Sequence, residues 1–135
     1  MKALGAGLWV ITAVYWGVLF VLTHTPQLPP PPGGVSDKGA HVLAYGALAG
    51  VLFVTVWVNR AQIKGLGWKV LLICAGYGAI DEWLQAVPWV GRSCEMNDWL
   101  ADLLGAGSAV GVLSGVRWMV GRAVARRPVE AKMAA

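Results

Sequence analysis

Four apolar stretches, each near the ~20 residues needed to cross the hydrocarbon core of a bilayer, constrain this chain more than any other feature. They run from about Ala3 to Leu22, Gly39 to Val58, Val70 to Val90 and Asp98 to Val120. The first carries no charge and the second carries His41 but no charged residue. The third contains Asp81 and Glu82, and the fourth contains Asp102 and Arg117. Transmembrane strands are shorter, about 9–11 residues, and alternate in polarity, so these stretches are helices. The chain is 57% hydrophobic and only 13% charged, against roughly 25% charged residues in soluble domains. Too little polar surface is left to cover a water-soluble globule of 135 residues. The expected fold is all-α, a four-transmembrane-helix bundle forming a single membrane domain over 1–135. Its core covers about 8–117, and 121–135 form a basic cytoplasmic tail, expected to be disordered at its end.

The first stretch is longer than the 7–15-residue core of a secretory signal and no Ala-x-Ala site follows it, so it is expected to remain as a helix. The connections are short. The first, about Thr23 to Lys38, includes Pro29-Pro30-Pro31-Pro32-Gly33-Gly34, an extended spacer that cannot be helical. The second runs from Asn59 to Lys69 and the third from about Gly91 to Asn97. There is no internal repeat and no second domain.

Charge orients such a bundle. Four crossings place Lys2, Arg60, Lys64, Lys69, Arg122, Arg126, Arg127 and Lys132 on one side and only Lys38 and Arg92 on the other. Short cytoplasmic loops are enriched in basic residues, so both termini are expected to be cytoplasmic. Arg117, near the end of the fourth stretch, would snorkel to the headgroups. The net charge of +4 therefore belongs to topology. No aromatic-interleaved basic stripe or helix-turn-helix pattern is present, so no nucleic-acid partner is expected; the partner is the lipid bilayer. Trp57, Trp68 and Trp118 fall near the cytoplasmic interface and Trp89 and Trp99 near the opposite one, as interfacial anchors. Gly107, Gly111 and Gly115 form a small-residue stripe, expected to pack within the bundle, with homo-oligomerisation as its other use. Cys74 and Cys94 lie near opposite ends of the third stretch and are expected to be free thiols.

Acidic residues partition the other way. Of Asp37, Asp81, Glu82, Glu95, Asp98, Asp102 and Glu130, only Glu130 falls on the cytoplasmic side, and both His24 and His41 lie at the exoplasmic end. Asp37, His41 and Tyr45 are spaced i, i+4, i+8 and share one helical face, with Ser36 or Asp37 as the N-cap. Asp81 and Gln85 share a face of the third helix, with Glu82 about 100° round. For a helix ending near Val90, Asp81 lies about 13 Å inside it. Intramembrane carboxylates are costly and usually face the bundle interior, where they mark function. Asp98 and Asp102 share a face of the fourth helix, Asp98 as a cap and Asp102 a turn deeper. Arg92 is the nearby cation, able to pair with Asp81, Glu82 or Asp98, or with a substrate phosphate or carboxylate. A purely structural salt-bridge network is the alternative reading.

Ser36-Asp37-Lys38 followed by His41 and Tyr45, then Asp81-Glu82-x-x-Gln85, Gly91-Arg92-Ser93, and Asp98 with Asp102 before Gly105, resembles the VanZ-like family over roughly residues 8–117. Here Pro88 and Gly91-Arg92 are separated by Trp89 and Val90, where the family has Pro-Gly-Arg. The resemblance implies a multi-pass protein of the bacterial cytoplasmic (inner) membrane, linked to teicoplanin resistance, in a family whose molecular activity is not settled.

Three function classes follow. The first is an envelope factor acting at the outer leaflet on a lipid or lipid-linked precursor. His41 with Asp81 or Glu82 would be the acid–base pair and Arg92 an anion clamp. Asp37, Lys38, Tyr45, Gln85, Asp98 and Asp102 would be binding groups. Asp81, Glu82, Asp98 and Asp102 are the candidate ligands of a divalent cation, for which oxygen-rich sets suit Mg²⁺, Ca²⁺ or Mn²⁺. The second is a non-enzymatic lipid- or glycopeptide-binding or structural membrane protein. The third is a small oligomeric transporter using Asp81 and Glu82, disfavoured by the few polar residues in the inner half, Thr55, Ser114 and Arg117.

Overall fold

A computed structural model describes residues 2–25, 32–60, 63–88, 90 and 93–133, with the backbone alone at 2, 32 and 126–133. The described residues form four helices and no strand: α1 (Lys2–Thr23), α2 (Asp37–Asn59), α3 (Leu66–Gln85) and α4 (Met96–Met133), with a short 3₁₀ turn at Pro32–Gly34 before α2. The all-α expectation holds. Three helices, over Ala3–Thr23, Asp37–Asn59 and Met96–Ala125, are long and apolar enough to cross a membrane. The third helix is not among them. It is 20 residues long and carries Lys69 near one end and Asp81 and Glu82 near the other.

Two helix boundaries differ from expectation. α3 occupies Leu66–Gln85 rather than Val70 to Val90, because the chain turns at Ala86 to Pro88, where proline cannot continue a helix. Asp81 thus stands one turn from the helix end, about 6 Å at 1.5 Å per residue, not 13 Å inside. At the other extreme α4 does not stop near Val120 but continues through the basic segment to Met133.

Capping explains the start of α2. Ser36 is extended (φ −66°, ψ 158°) and its hydroxyl accepts from the Gly39 N–H at 3.1 Å, satisfying one free donor of the first turn. Ser36 is the cap, leaving Asp37 exposed in the first turn. α3 begins differently. Gly65 sits at φ 63°, a left-handed conformation that a residue with a Cβ adopts only with strain.

The helices alternate in direction, so the ends of α1 and α3 meet the starts of α2 and α4. α2 is the central element. It packs most extensively on α4 and also touches α1 and α3, whereas α1 scarcely meets α3. Its buried face, Tyr45, Leu48, Leu52 and Phe53, meets Val70 and Cys74 of α3 and Ala106 and Val110 of α4. The outer surface is apolar too: Val14, Val18, Leu72, Ile80, Leu104 and Val112 are all exposed. Residues of this type on the outside fit hydrocarbon, not water.

When lipid replaces water, burial of apolar area gives little drive for helix association, and close backbone approach with its dispersion contacts matters more. The α2–α4 crossing is of this kind. A Cβ on Gly46 would lie 3.3 Å from the Gly105 carbonyl oxygen, and one on Gly105 would overlap the Val42 carbonyl oxygen. Gly67 gives α3 the same closeness to Ser114 and Val110. The stripe of Gly107, Gly111 and Gly115 is not used this way: a Cβ at each meets nothing within 4 Å among the described residues. Intramolecular packing thus falls on Gly46, Gly67 and Gly105, because the stripe lies on a face of α4 turned away from α2 and α3.

At the end holding the start of α1, polar contacts among the described residues are few, and they join separate elements. Thr12 and Thr55 share a buried hydrogen bond at 2.8 Å, and Asn59 Nδ2 donates to the Gly5 carbonyl at 3.2 Å. Arg117 does not simply reach outward, since its Nη2 donates to the Ile63 carbonyl at 3.0 Å and ties α4 to the α2–α3 connection. Cys74 is buried and Cys94 exposed, both free.

Candidate functional site

At the opposite end, the end of α1, the start of α2, the end of α3 and the start of α4 bring eight polar side chains together. His41 on α2 is buried, as are Asp81, Glu82 and Gln85 on α3 and Asp98 and Asp102 on α4. Thr23 and His24 close the group from α1. Helical spacing produces the arrangement: His41 and Tyr45 project from one face of α2, and Asp98 and Asp102 from the facing side of α4.

The tightest pair joins α2 and α4. His41 Nδ1 is 2.9 Å from Asp102 Oδ1, and Nε2 is 3.7 Å from Asp98 Oδ2. With the carboxylate as acceptor, Nδ1 carries the proton, and Asp102 fixes the orientation of the imidazole. The expected partners of His41 were Asp81 or Glu82. Asp102 takes that place because the Gly46–Gly105 approach draws α4 against this face of α2, closer than α3 comes.

Asp81 is held separately. The Thr23 hydroxyl donates to its Oδ1 at 2.9 Å, Gln85 Nε2 donates to Oδ2 at 3.2 Å, and His24 Nδ1 lies 3.6 Å away. Glu82 accepts the Glu95 backbone N–H at 2.9 Å and the Gln85 amide at 3.4 Å. Gln85 therefore spans both carboxylates, as expected of a residue on the Asp81 face.

Asp98 lies within the first turn of α4, which begins at Met96, rather than at its cap. Lys38 pairs with it and also with Glu95, at 2.8 Å. The Lys38 ammonium, helped by a hydrogen bond from Ser93, holds the exposed Glu95 carboxyl below the usual glutamate value. Among the described residues Lys38 is the lysine or arginine paired at this end; Arg92 lies outside the described residues, as does Trp89.

Four buried polar atoms have no hydrogen-bond partner among the described residues: Asp102 Oδ2, Tyr45 Oη, Tyr77 Oη and His24 Nε2. Gly78, one turn before Glu82, leaves free a position where a Cβ would come 3.2 Å from Asp102 Oδ2 and 3.3 Å from both Trp99 and Tyr45. Trp99 is not a free interfacial anchor, since its Nε1 donates to the Ala75 carbonyl at 3.0 Å and fixes the start of α4 on α3. Trp68 and Trp118 remain exposed at the other end.

No family model, curated protein or solved structure matches the chain.

His41, Glu82 and Asp102 each offer a ligand atom within 4.8 Å of the others, and so do Asp37, His41 and Asp98. Of the four carboxylates expected as metal candidates, Glu82 and Asp102 join His41 in the buried set and Asp98 joins the outer one, while Asp81 is in neither. Sequence reasoning did not assign Thr23, His24, Tyr77, Gly78 or Glu95 to the site. His24 and Glu95 shared the acidic end, which was the available signal; Thr23, Tyr77 and Gly78 have no signature in a single sequence.

Proposed function

We propose that the chain is an integral membrane protein of the bacterial cytoplasmic membrane whose polar site acts on a lipid or lipid-linked envelope precursor at the outer leaflet. In this reading all four helices cross the bilayer, α3 included, and both termini are cytoplasmic. The basic residues of the N-terminus, the α2–α3 connection and the tail support that orientation. The observation that carries the functional reading is the buried His41–Asp102 pair beside Asp81, Glu82 and Asp98. Ionisable groups inside a bundle are expensive and mark a functional site by default. His41, oriented by Asp102, and Asp81 or Glu82 on α3 are the acid and base groups; Lys38 meets the anionic part of a headgroup, with Arg92 as a second clamp. The resemblance to the VanZ-like family agrees with an envelope role and extends the proposal to altered teicoplanin sensitivity.

A structural reading has its own support: Thr23, Gln85 and the Glu95 N–H already satisfy much of Asp81 and Glu82. It does not account for the unpartnered Asp102 Oδ2. Transport is less well supported, because Leu19, Leu48, Ala49 and Leu52 separate the site from the Thr12–Thr55 pair.

The test is mass spectrometry of lipid extracts from cells expressing the wild type or His41→Gln, at matched membrane levels and helix content. A lipid or lipid-linked species that changes with the wild type alone supports the proposal. Identical profiles with both proteins folded reject it in favour of the structural reading.

A further inference from the structure

The geometry points to a divalent transition-metal site at His41, Glu82 and Asp102, of the class that accepts mixed imidazole and carboxylate ligands: Mn²⁺, Fe²⁺ or Zn²⁺. Three helices supply one ligand each, all three residues are buried, and the ligand atoms lie within 4.8 Å of one another. Small side-chain rotations bring such a set onto one ion.

Asp102 is 1% exposed, yet its Oδ2 has no hydrogen-bond partner among the described residues. A buried carboxylate oxygen without a donor is costly, and a cation removes the cost. Gly78 keeps the space beside that oxygen clear, where any larger residue would crowd it.

The neighbouring carboxylates are already engaged. Asp81 takes the Thr23 hydroxyl and the Gln85 amide, and Asp98 takes Lys38. Glu82 and Asp102 are left with His41 as their shared counter-group, and a single imidazolium balances one of two negative charges. A divalent ion balances both and displaces the proton that His41 and Asp102 share. The supporting contacts are of the kind that steady metal ligands: Gln85 and the Glu95 N–H hold Glu82, and Asp98 lies 3.7 Å from the second nitrogen of His41. The imidazole sets the metal class. Oxygen-only sets suit Mg²⁺ and Ca²⁺, whereas a nitrogen ligand favours transition metals.

The inference shares its site with the proposed lipid chemistry and rests on that reading for its purpose. With the ion bound, His41 is a ligand and the acid–base role narrows to Asp81. Beside Lys38, the ion adds a second positive point for a phosphate-bearing headgroup.

The experiment is equilibrium dialysis of the tag-free, full-length protein in detergent against Zn²⁺ and against Mn²⁺, each with excess Mg²⁺, read by elemental analysis. About one equivalent per chain is expected, weakened at least about tenfold in Glu82→Gln and Asp102→Asn. If those variants fail to fold, ¹⁵N-histidine spectra of the wild type decide. The chain has two histidines, and Zn²⁺ should shift the His41 imidazole signals, assigned with His24→Gln, and leave those of His24 in place. No stoichiometric uptake, uptake abolished by Mg²⁺, uptake unchanged in both variants, or loss in Asp37→Asn with retention in Glu82→Gln each overturns the assignment. Metal uptake without a lipid change leaves the site standing and removes the lipid reading; a lipid change without uptake does the reverse.

Discussion

Gly105→Ala should unseat α4 from α2 and take the site with it. A Cβ there would overlap the Val42 carbonyl oxygen and stand 2.8 Å from the Val42 carbonyl carbon and 3.0 Å from the Gly46 nitrogen. All three are main-chain atoms, so no rotamer change relieves the overlap. Restoring ordinary separations of roughly 3.5 Å requires the two backbones to part by well over 1 Å. Overpacking that cannot relax costs about 3 kcal/mol, and alanine returns at most about 1 kcal/mol of helix propensity, for a net loss of about 2 kcal/mol. The same displacement acts on the His41–Asp102 bond of 2.9 Å, because Val42 adjoins His41 and Asp102 lies one turn before Gly105. The assay is denaturant unfolding in a fixed detergent, followed by helix content, beside Gly107→Ala and Gly111→Ala, whose added methyls meet nothing within 4 Å. These two should be neutral or slightly stabilising. Equal stability of Gly105→Ala and Gly107→Ala would refute the close-approach argument.

Gln85→Leu strips donors from both Asp81 and Glu82 and should lower the unfolding free energy by about 2 kcal/mol, measured in the same assay. Thr12→Val breaks the buried Thr12–Thr55 bond and should cost ~1 kcal/mol without changing the lipid profile. Glu95, held below its usual value by Lys38 and then by Ser93, stabilises the fold above the ordinary glutamate range. That contribution disappears as pH falls through the depressed value. Glu95→Gln should remove this part of the acid limb from the pH dependence of the unfolding midpoint, and an unaltered limb would contradict it.

Helix content was legible because apolar runs of membrane length admit few alternatives, and the spacing of Asp37, His41 and Tyr45, and of Asp98 and Asp102, placed the right groups on shared faces. The end of α3 was harder. Val87, Pro88, Trp89 and Val90 extend the hydropathy pattern past the point where the helix stops, so hydrophobicity and backbone geometry disagree there. Pairing across helices was beyond periodicity altogether. That Asp102 rather than Asp81 or Glu82 meets His41 depends on how far Gly105 lets α4 approach α2, and the same crossing turns the Gly107, Gly111 and Gly115 stripe outward. A glycine spacing shows that a face is small, not what lies against it. The role of Thr23 likewise depends on where α1 ends relative to α3.

Whether this polar site faces outward can be read directly, because the chain carries its own probes. Cys94 is exposed in the α3–α4 connection and Cys74 is buried in the core. Intact cells or spheroplasts expressing the unaltered protein should be treated with a membrane-impermeant maleimide before and after permeabilisation. Cys94 should be labelled without permeabilisation, and Cys74 in neither state. Labelling of Cys94 only after the membrane is opened would put the site on the cytoplasmic face and rule out action at the outer leaflet.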